Sequence, residues 1–221
     1  MKLLCNGILK LICGFLLMGL CLFLPAGTIH YPGGWLFLVL LFIPMVLLGG
    51  YLFFRSPDLL QKRLNGRERE RTQSFVVAAS GLLFLASFLL AGFDFRFGWS
   101  RVPSPIVILG ALLLLASYGL YARVMQENAY LSRTIEVQEG QKVIDTGLYA
   151  TVRHPMYTAT IFLFLSMTLV LGSWISFCMM LLYPVLIVLR IRNEEQVLKA
   201  GLVGYEDYCR RVKYRLLPHI W

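Results

Sequence analysis

Two short segments concentrate the residues able to do chemistry. Gly147-Leu148-Tyr149-Ala150-Thr151-Val152-Arg153-His154-Pro155-Met156-Tyr157 gathers two phenols, a guanidinium and an imidazole. Arg190-Ile191-Arg192-Asn193-Glu194-Glu195 sets an acidic pair among bases. Between them, the apolar stretch Tyr157–Ile191 is too long for one membrane crossing, which takes about 20 residues. Gly172-Ser173 sits near its middle and reads as a helix break. A hairpin folded there returns its ends to the same side, so the two polar segments become neighbours. Metal chemistry is not indicated. The cysteines Cys5, Cys13, Cys21, Cys178 and Cys209 form neither a CxxC pair nor a Cys/His cluster. Four of them lie in apolar runs and read as small hydrophobes, so a disulfide framework is not indicated either.

Within the first segment, Pro155 suits the first turn of a helix and biases His154 towards an extended conformation. His154 and nearby backbone groups then face the mouth of the bundle. The plainer alternative is a helix start in which Arg153 holds a lipid phosphate. In the second segment, Arg190 and Glu194 are four apart and share one face of a continuing helix. That face offers a cation for an anionic substrate beside an anion for a cofactor. The alternative is salt bridging of the acidic pair to Arg190, Arg192 or Arg153. Local residues leave both choices open.

The elements that must position these residues follow from composition. The chain has 221 residues, 58% hydrophobic and 15% charged, with a mean hydropathy of +0.69. Soluble domains carry about 25% charged residues. A disordered chain, a disulfide scaffold and an ordinary soluble enzyme are excluded, leaving a polytopic membrane protein. Leu3–Leu24, Gly33–Phe54, Phe75–Phe93 and Pro105–Ala122 are long enough to span. With the hairpin they predict six crossings. Nineteen of the twenty-one Lys and Arg then fall on one side, leaving Arg96 and Arg101 opposite. This places both termini in the cytoplasm of a multi-pass cell-membrane protein. The net charge of +9 belongs to loops facing lipid headgroups, not to a nucleic-acid surface.

Smaller features fill in the picture. Lys2, an apolar stretch and Pro25-Ala26-Gly27 mimic a signal peptide, but Lys10 interrupts the run and a retained first helix is expected. Ser56-Pro57-Asp58 starts a short interfacial helix. Ser132–Ile144 reads as an irregular strand-turn-strand loop turning at Glu139-Gly140. Trp221, with His219 beside it, reads as an interfacial anchor. Charged residues keep to the edges of the spans apart from Lys10, which argues against a transporter or scaffold with a polar path. Glu127-Asn128 follows the fourth span, placed to help form the pocket but without an assigned role. The expected fold is an all-α integral membrane protein of one domain. Residues 1–122 supply four transmembrane helices, and residues 123–221 supply the functional half, with its pocket at the cytoplasmic face.

QKVIDTGLYATVRHPMY (Gln141–Tyr157), RIRNEE (Arg190–Glu195) and GYEDYCRRVKYRLLP (Gly204–Pro218) together resemble the isoprenylcysteine carboxyl methyltransferase family, which is related to membrane phospholipid N-methyltransferases. The resemblance covers the C-terminal half and implies methyl transfer from S-adenosylmethionine to a lipidic or prenylated acceptor arriving from the membrane. It implies that Gln141, Lys142, Val143 and Ile144 border the cofactor largely through backbone groups. Tyr149, His154, Pro155, Met156 and Tyr157 would line its other side. Glu194 would bind the amino acid or ribose portion, and Arg190 would orient the acceptor carboxylate. An amine acceptor is the alternative within methyl transfer. The RHPxY run and the basic, Tyr-containing tail also resemble sterol reductases, which use NADPH. Met156 and Thr158-Ala159 depart from the Asn and Gly-Asp expected around that motif.

Overall fold

The computed structural model describes residues 2–64, 71–131, 135 and 137–221. Arg67, Arg69 and Arg133, and Ser132, Thr134 and Glu136 of the expected strand-turn-strand loop, lie outside the described residues. Nine α-helices occur among the described residues: α1 Lys2–Ala26, α2 Pro32–Arg55, α3 Pro57–Leu64, α4 Arg71–Phe97, α5 Ser104–Glu127, α6 Pro155–Val170, α7 Trp174–Met180, α8 Tyr183–Gly201 and α9 Tyr205–Arg211. A 3₁₀ turn over Gly147–Ala150 precedes α6. Proline opens α2, α3, α5, α6 and α8 within their first two positions. There its fixed φ favours the helix and its missing N–H costs nothing.

Five segments are long and apolar enough to cross a membrane: Leu4–Ala26, Pro32–Arg55, Gln73–Phe97, Ser104–Glu127 and Trp174–Gly201. α6 is apolar but has only 16 residues. The hairpin turns where its Gly-Ser pair was expected to break it, with Gly172 at φ +78° and the Ser173 side chain capping α7 by accepting from Ser176 N–H. Its return arm is not one helix. It breaks at Leu181-Leu182, because Pro184 cannot donate the backbone hydrogen bond that a continuous helix needs.

One end of the bundle holds the connections at Gly27–Tyr31, Gly98–Pro103 and Leu171–Ser173. Tyr31 there donates to Leu171 O at 2.6 Å. Buried Asp94 accepts from Ser100 N–H at 2.6 Å, from the Ser100 hydroxyl and from the Ser173 hydroxyl. The opposite end holds the start of α1, α3, the 3₁₀ turn, α9 and the C-terminal tail, and Lys10 Nζ reaches Leu64 O at 2.6 Å. α3 is the short helix expected after Ser56.

The region expected as strand-turn-strand keeps its turn at Glu139-Gly140 but shows no strand among the described residues. Side chains satisfy its backbone instead of a partner strand. Gln141 Oε1 accepts from Gln138 N–H at 2.8 Å, and Gln138 Nε2 donates to Tyr130 O at 2.6 Å. Val137 and Val143 pack on Leu202, Tyr205, Tyr208 and Val212.

Packing divides the bundle in a way that matters for the site. α5 lies along α6, whereas α4 lies along α1, α7 and α8, and α6 and α8 touch little. Reciprocal hydrogen bonds between Ser87 and Ser176 tie α4 to α7 at 2.9 and 3.1 Å. Close approach of α1 and α4 depends on Gly92, where an added Cβ would lie 2.6 Å from Leu22 O and 2.9 Å from Pro25 Cβ. Gly92→Ala should force these helices apart and cost about 1–3 kcal/mol. A thermal midpoint in detergent unchanged from the parent would contradict that packing.

Candidate functional site

The cleft between α6 and α8 opens into a cavity of about 490 Å³. Its polar part is built by the ends of α5 and α8, the loop over 141–144, the 3₁₀ turn and α9. It includes Asn128, Tyr130, Gln141, Lys142, Val143, Ile144, Tyr149, Arg153, His154, Met156, Leu198, Tyr205 and Tyr208. Its apolar part runs between α4, α6 and α8 along Val76, Val77, Gly81, Phe84, Thr160, Phe164, Tyr183 and Ile187. Tyr157, Arg190 and Glu194 stand where the two parts meet.

Those three residues form a chain. Tyr157 donates its hydroxyl proton to Glu194 Oε2 at 2.5 Å and accepts from Arg190 Nε at 2.9 Å. The Arg190 guanidinium lies 5.9 Å from the Tyr157 ring centroid. Arg190 and Glu194 share the cavity-facing side of α8, as their spacing predicted, although the phenol between them was not foreseen as their link. Gln73 of α4 supports this stretch from behind, donating to Asn193 Oδ1 at 2.6 Å and to Arg190 O at 3.3 Å.

Glu195, one residue on, does different work. It is buried, and its carboxylate meets Arg153 Nε at 2.7 Å, His154 Nε2 at 3.3 Å and Arg215 at 3.0 Å. Arg153 also donates to Val212 O at 2.6 Å and Lys213 O at 3.0 Å. The backbone N–H groups of Arg153 and His154 donate to Tyr214 O and Arg215 O, both at 2.9 Å. The start of α6, the end of α8 and the C-terminal tail are thus joined through one carboxylate. The salt-bridge alternative for the acidic pair, to Arg153, is what Glu195 does. Glu194 faces the cavity instead.

Of the residues expected at the site, Gln141, Lys142, Val143, Ile144, Tyr149, His154, Met156, Tyr157, Arg190 and Glu194 come together around this cavity. Pro155 starts α6 and is buried off the cavity wall. His154 lines the cavity, with its imidazole against Glu195.

Several contributors had no role assigned from the sequence. Asn128 donates to the Tyr149 hydroxyl at 3.0 Å, and Tyr208 donates to Tyr149 O at 2.8 Å. Burial, with Tyr149 adding to it, holds the Tyr208 phenol above its ordinary pKa, so it stays a donor. Glu127 accepts from Leu148 N–H at 2.8 Å. A Cβ on Gly147, at φ +57°, would strike the Glu127 carboxylate at 2.5 Å. Glu127-Asn128 therefore fixes the turn that presents Tyr149. Tyr205 is buried with its hydroxyl unpaired by hydrogen bonding. The three-residue spacing of Tyr205 and Tyr208 put them on one helical face, a signal present in the sequence. Trp221 packs under Arg215 at 5.1 Å and joins the cluster around Ile187 and Ile191.

Residues 106–200 match the family model for the isoprenylcysteine carboxyl methyltransferase (ICMT) family. The matched range runs from α5 almost to the end of α8 and contains both polar segments, so the resemblance carried by QKVIDTGLYATVRHPMY and RIRNEE is borne out. The match supports a membrane methyltransferase. The chain is also similar to the Delta(14)-sterol reductase of Mus musculus, at 30% identity over 91 residues. That alignment covers 40% of this chain and 22% of the reductase, so the likeness spans about a fifth of the relative's length.

Removing Glu195 leaves Arg153 buried without its counter-charge, an arrangement that costs about 3–5 kcal/mol. Glu195→Ala should therefore lower the thermal midpoint markedly and loosen the C-terminal tail to proteolysis. A midpoint equal to that of the parent protein would remove Glu195 from its structural role.

Proposed function

We propose that this protein transfers a methyl group from S-adenosylmethionine to an anionic acceptor that is membrane-embedded or amphiphilic, a carboxylate as in isoprenylcysteine O-methylation. The observation that carries this reading is the Arg190–Tyr157–Glu194 chain at the junction of a polar and an apolar compartment. Methyl transfer between a water-soluble donor and a lipidic acceptor needs such a junction. The donor set fits the cofactor: a carboxylate suited to an ammonium group or ribose hydroxyls, phenol rings, and the 141–144 backbone beside them. Aromatic faces also attract cationic groups.

When bound, S-adenosylmethionine supplies an electrophilic methyl group on a sulfonium centre. The protein's part is positioning. A carboxylate acceptor is already ionised at neutral pH and needs no general base, so orientation and partial desolvation carry the acceleration. Arg190 holds the acceptor's carboxylate against the cofactor pocket. Tyr157 fixes Arg190 by accepting from Nε while donating to Glu194. Glu194 then keeps one carboxylate oxygen committed to Tyr157 and directs its charge at the cofactor. His154, held against Glu195, acts as a wall and positioning group rather than a base.

An amine acceptor would need to lose a proton before attack, and the cationic Arg190 at the junction favours an anion instead. The local likeness to a sterol reductase makes NADPH the ligand to test in parallel. The concentration of Lys and Arg at the end of the bundle that carries the cavity supports a cytoplasmic site, with both termini on that side of the cell membrane.

Calorimetric titration of the purified protein should show saturable binding of S-adenosylhomocysteine and none of NADPH. Binding of NADPH alone would replace this reading with reduction. Glu194→Ala should weaken S-adenosylhomocysteine binding about tenfold or more, the usual loss for a charged hydrogen-bond partner, without lowering the thermal midpoint as Glu195→Ala does. Arg190→Ala should leave that affinity within about twofold and reduce turnover of an S-prenylcysteine carboxylate by about tenfold or more. Equal effects of both variants on cofactor affinity would contradict the division of roles.

A further inference from the structure

The apolar part of the cavity has a floor. Phe84 of α4, Phe164 of α6 and Tyr183 of α8 converge there. Ring centroids are 4.6 Å apart for Phe84–Phe164, 4.9 Å for Phe164–Tyr183 and 5.6 Å for Phe84–Tyr183. α6 and α8 stand apart above this point, so the three rings close the cleft from three helices at one level. All three residues line the cavity.

The register of the helices gives the depth. Tyr183 lies seven residues from Arg190 on α8, Phe164 seven from Tyr157 on α6, and Phe84 seven from Val77 on α4. Each interval is about 10 Å along a helix axis. The arm therefore has the same length along α6 and α8, from the cationic junction to the aromatic floor. An extended hydrocarbon chain anchored by a carboxylate at Arg190 reaches the floor with roughly eight carbons, from the length of a C–C bond and its zigzag angle. Midway, Gly81 leaves open space: a Cβ built there meets no atom within 4 Å.

From this geometry we propose that Phe84, Phe164 and Tyr183 gauge the acceptor's apolar chain, enclosing about eight carbons of it below the carboxylate held by Arg190. The inference rests on the methyl-transfer reading. It deepens that reading by assigning the acceptor a medium-length or branched apolar segment within the protein; in an S-prenylcysteine the Cα, Cβ and sulfur take up part of that length, leaving about one isoprene unit enclosed. Chain beyond that length gains no further protein contact. Rings in van der Waals contact across three helices leave no room for more methylenes without displacing one of them, and packed interiors resist that.

The test uses the purified full chain in nanodiscs, saturated with S-adenosylhomocysteine. Straight-chain carboxylates from hexanoate to tetradecanoate are titrated one at a time. Affinity should rise with length and level off or fall beyond octanoate to decanoate. Phe164→Ala should move that break about two to four carbons longer, the depth the deleted ring occupied. Gly81→Leu, which adds a side chain into open space and so spares the fold, should move the break shorter or reduce affinity at least tenfold for octanoate and longer chains. Identical length profiles in the parent and Gly81→Leu proteins would overturn the gauge, as would a parent affinity that climbs steadily through tetradecanoate. Failure of every carboxylate to bind a protein that does bind S-adenosylhomocysteine would also overturn it while leaving the cofactor reading intact. Failure of S-adenosylhomocysteine to bind folded protein would instead sink the reading on which the gauge rests.

Discussion

A single buried carboxylate holds the C-terminal half together. Glu195 draws Arg153, His154 and Arg215 to one point, and through Arg153 it fixes the carbonyls of Val212 and Lys213. Burying an ion pair yields little net stability compared with an apolar replacement, because desolvation offsets much of the attraction. What it supplies is uniqueness of arrangement. The start of α6, the last turns of α8 and the chain end cannot slide past one another without stranding a charge. The cavity walls on either side of this point inherit that rigidity.

Against this fixed point, the neighbouring glutamate is left facing the cavity. Successive residues on a helix point about 100° apart, so a Glu-Glu pair on α8 necessarily sends one side chain towards the tail and the other elsewhere. Glu195 faces the Arg cluster and Glu194 faces Tyr157 and the cavity. Two residues of the same type thereby meet different surroundings, and the proposed binding role falls to Glu194 alone. Just before α6, Arg153 reaches across to the tail while His154, at the N-cap position, lies against Glu195 and the cavity.

Much of this was legible in the sequence where the cause was local. The apolar runs, the Gly172-Ser173 turn and the helix start at Pro155 follow from composition and backbone preference. The meeting of Arg190 and Glu194 with Tyr157 required only that a hairpin return its ends to one level. Causes acting at a distance were less visible. Whether Glu194 or Glu195 pairs with Arg153 depends on the rotation of α8, which periodicity of apolar residues constrains only coarsely. Val137 and Val143 suggested strands because β-branched residues favour them. They instead serve as plugs on the α9 cluster, while Gln138 and Gln141 satisfy the backbone. Glu127 and Asn128 had no assignable role because their partners, Leu148 and Tyr149, lie twenty-one residues away in sequence.

A cleft between two arms of one hairpin calls for a physical account, since apolar helices joined by a short turn ordinarily pack along their length. Here α6 is committed to α5, and α7 and α8 to α4, so each arm has its apolar face satisfied by a different neighbour. The arms are then held at their two ends and bridged between them where Tyr157 of α6 meets Arg190 and Glu194 of α8. At one end, the Phe84–Phe164–Tyr183 rings hold them; at the other, Glu195 and its three partners do. The aromatic pin is apolar and lies deep, whereas the ionic pin is polar and lies at the basic end. The cavity between them must therefore change character along its axis. The Arg190–Tyr157–Glu194 chain falls where that change occurs. The proposed meeting of a polar donor with an apolar acceptor would follow from how the two arms are held apart.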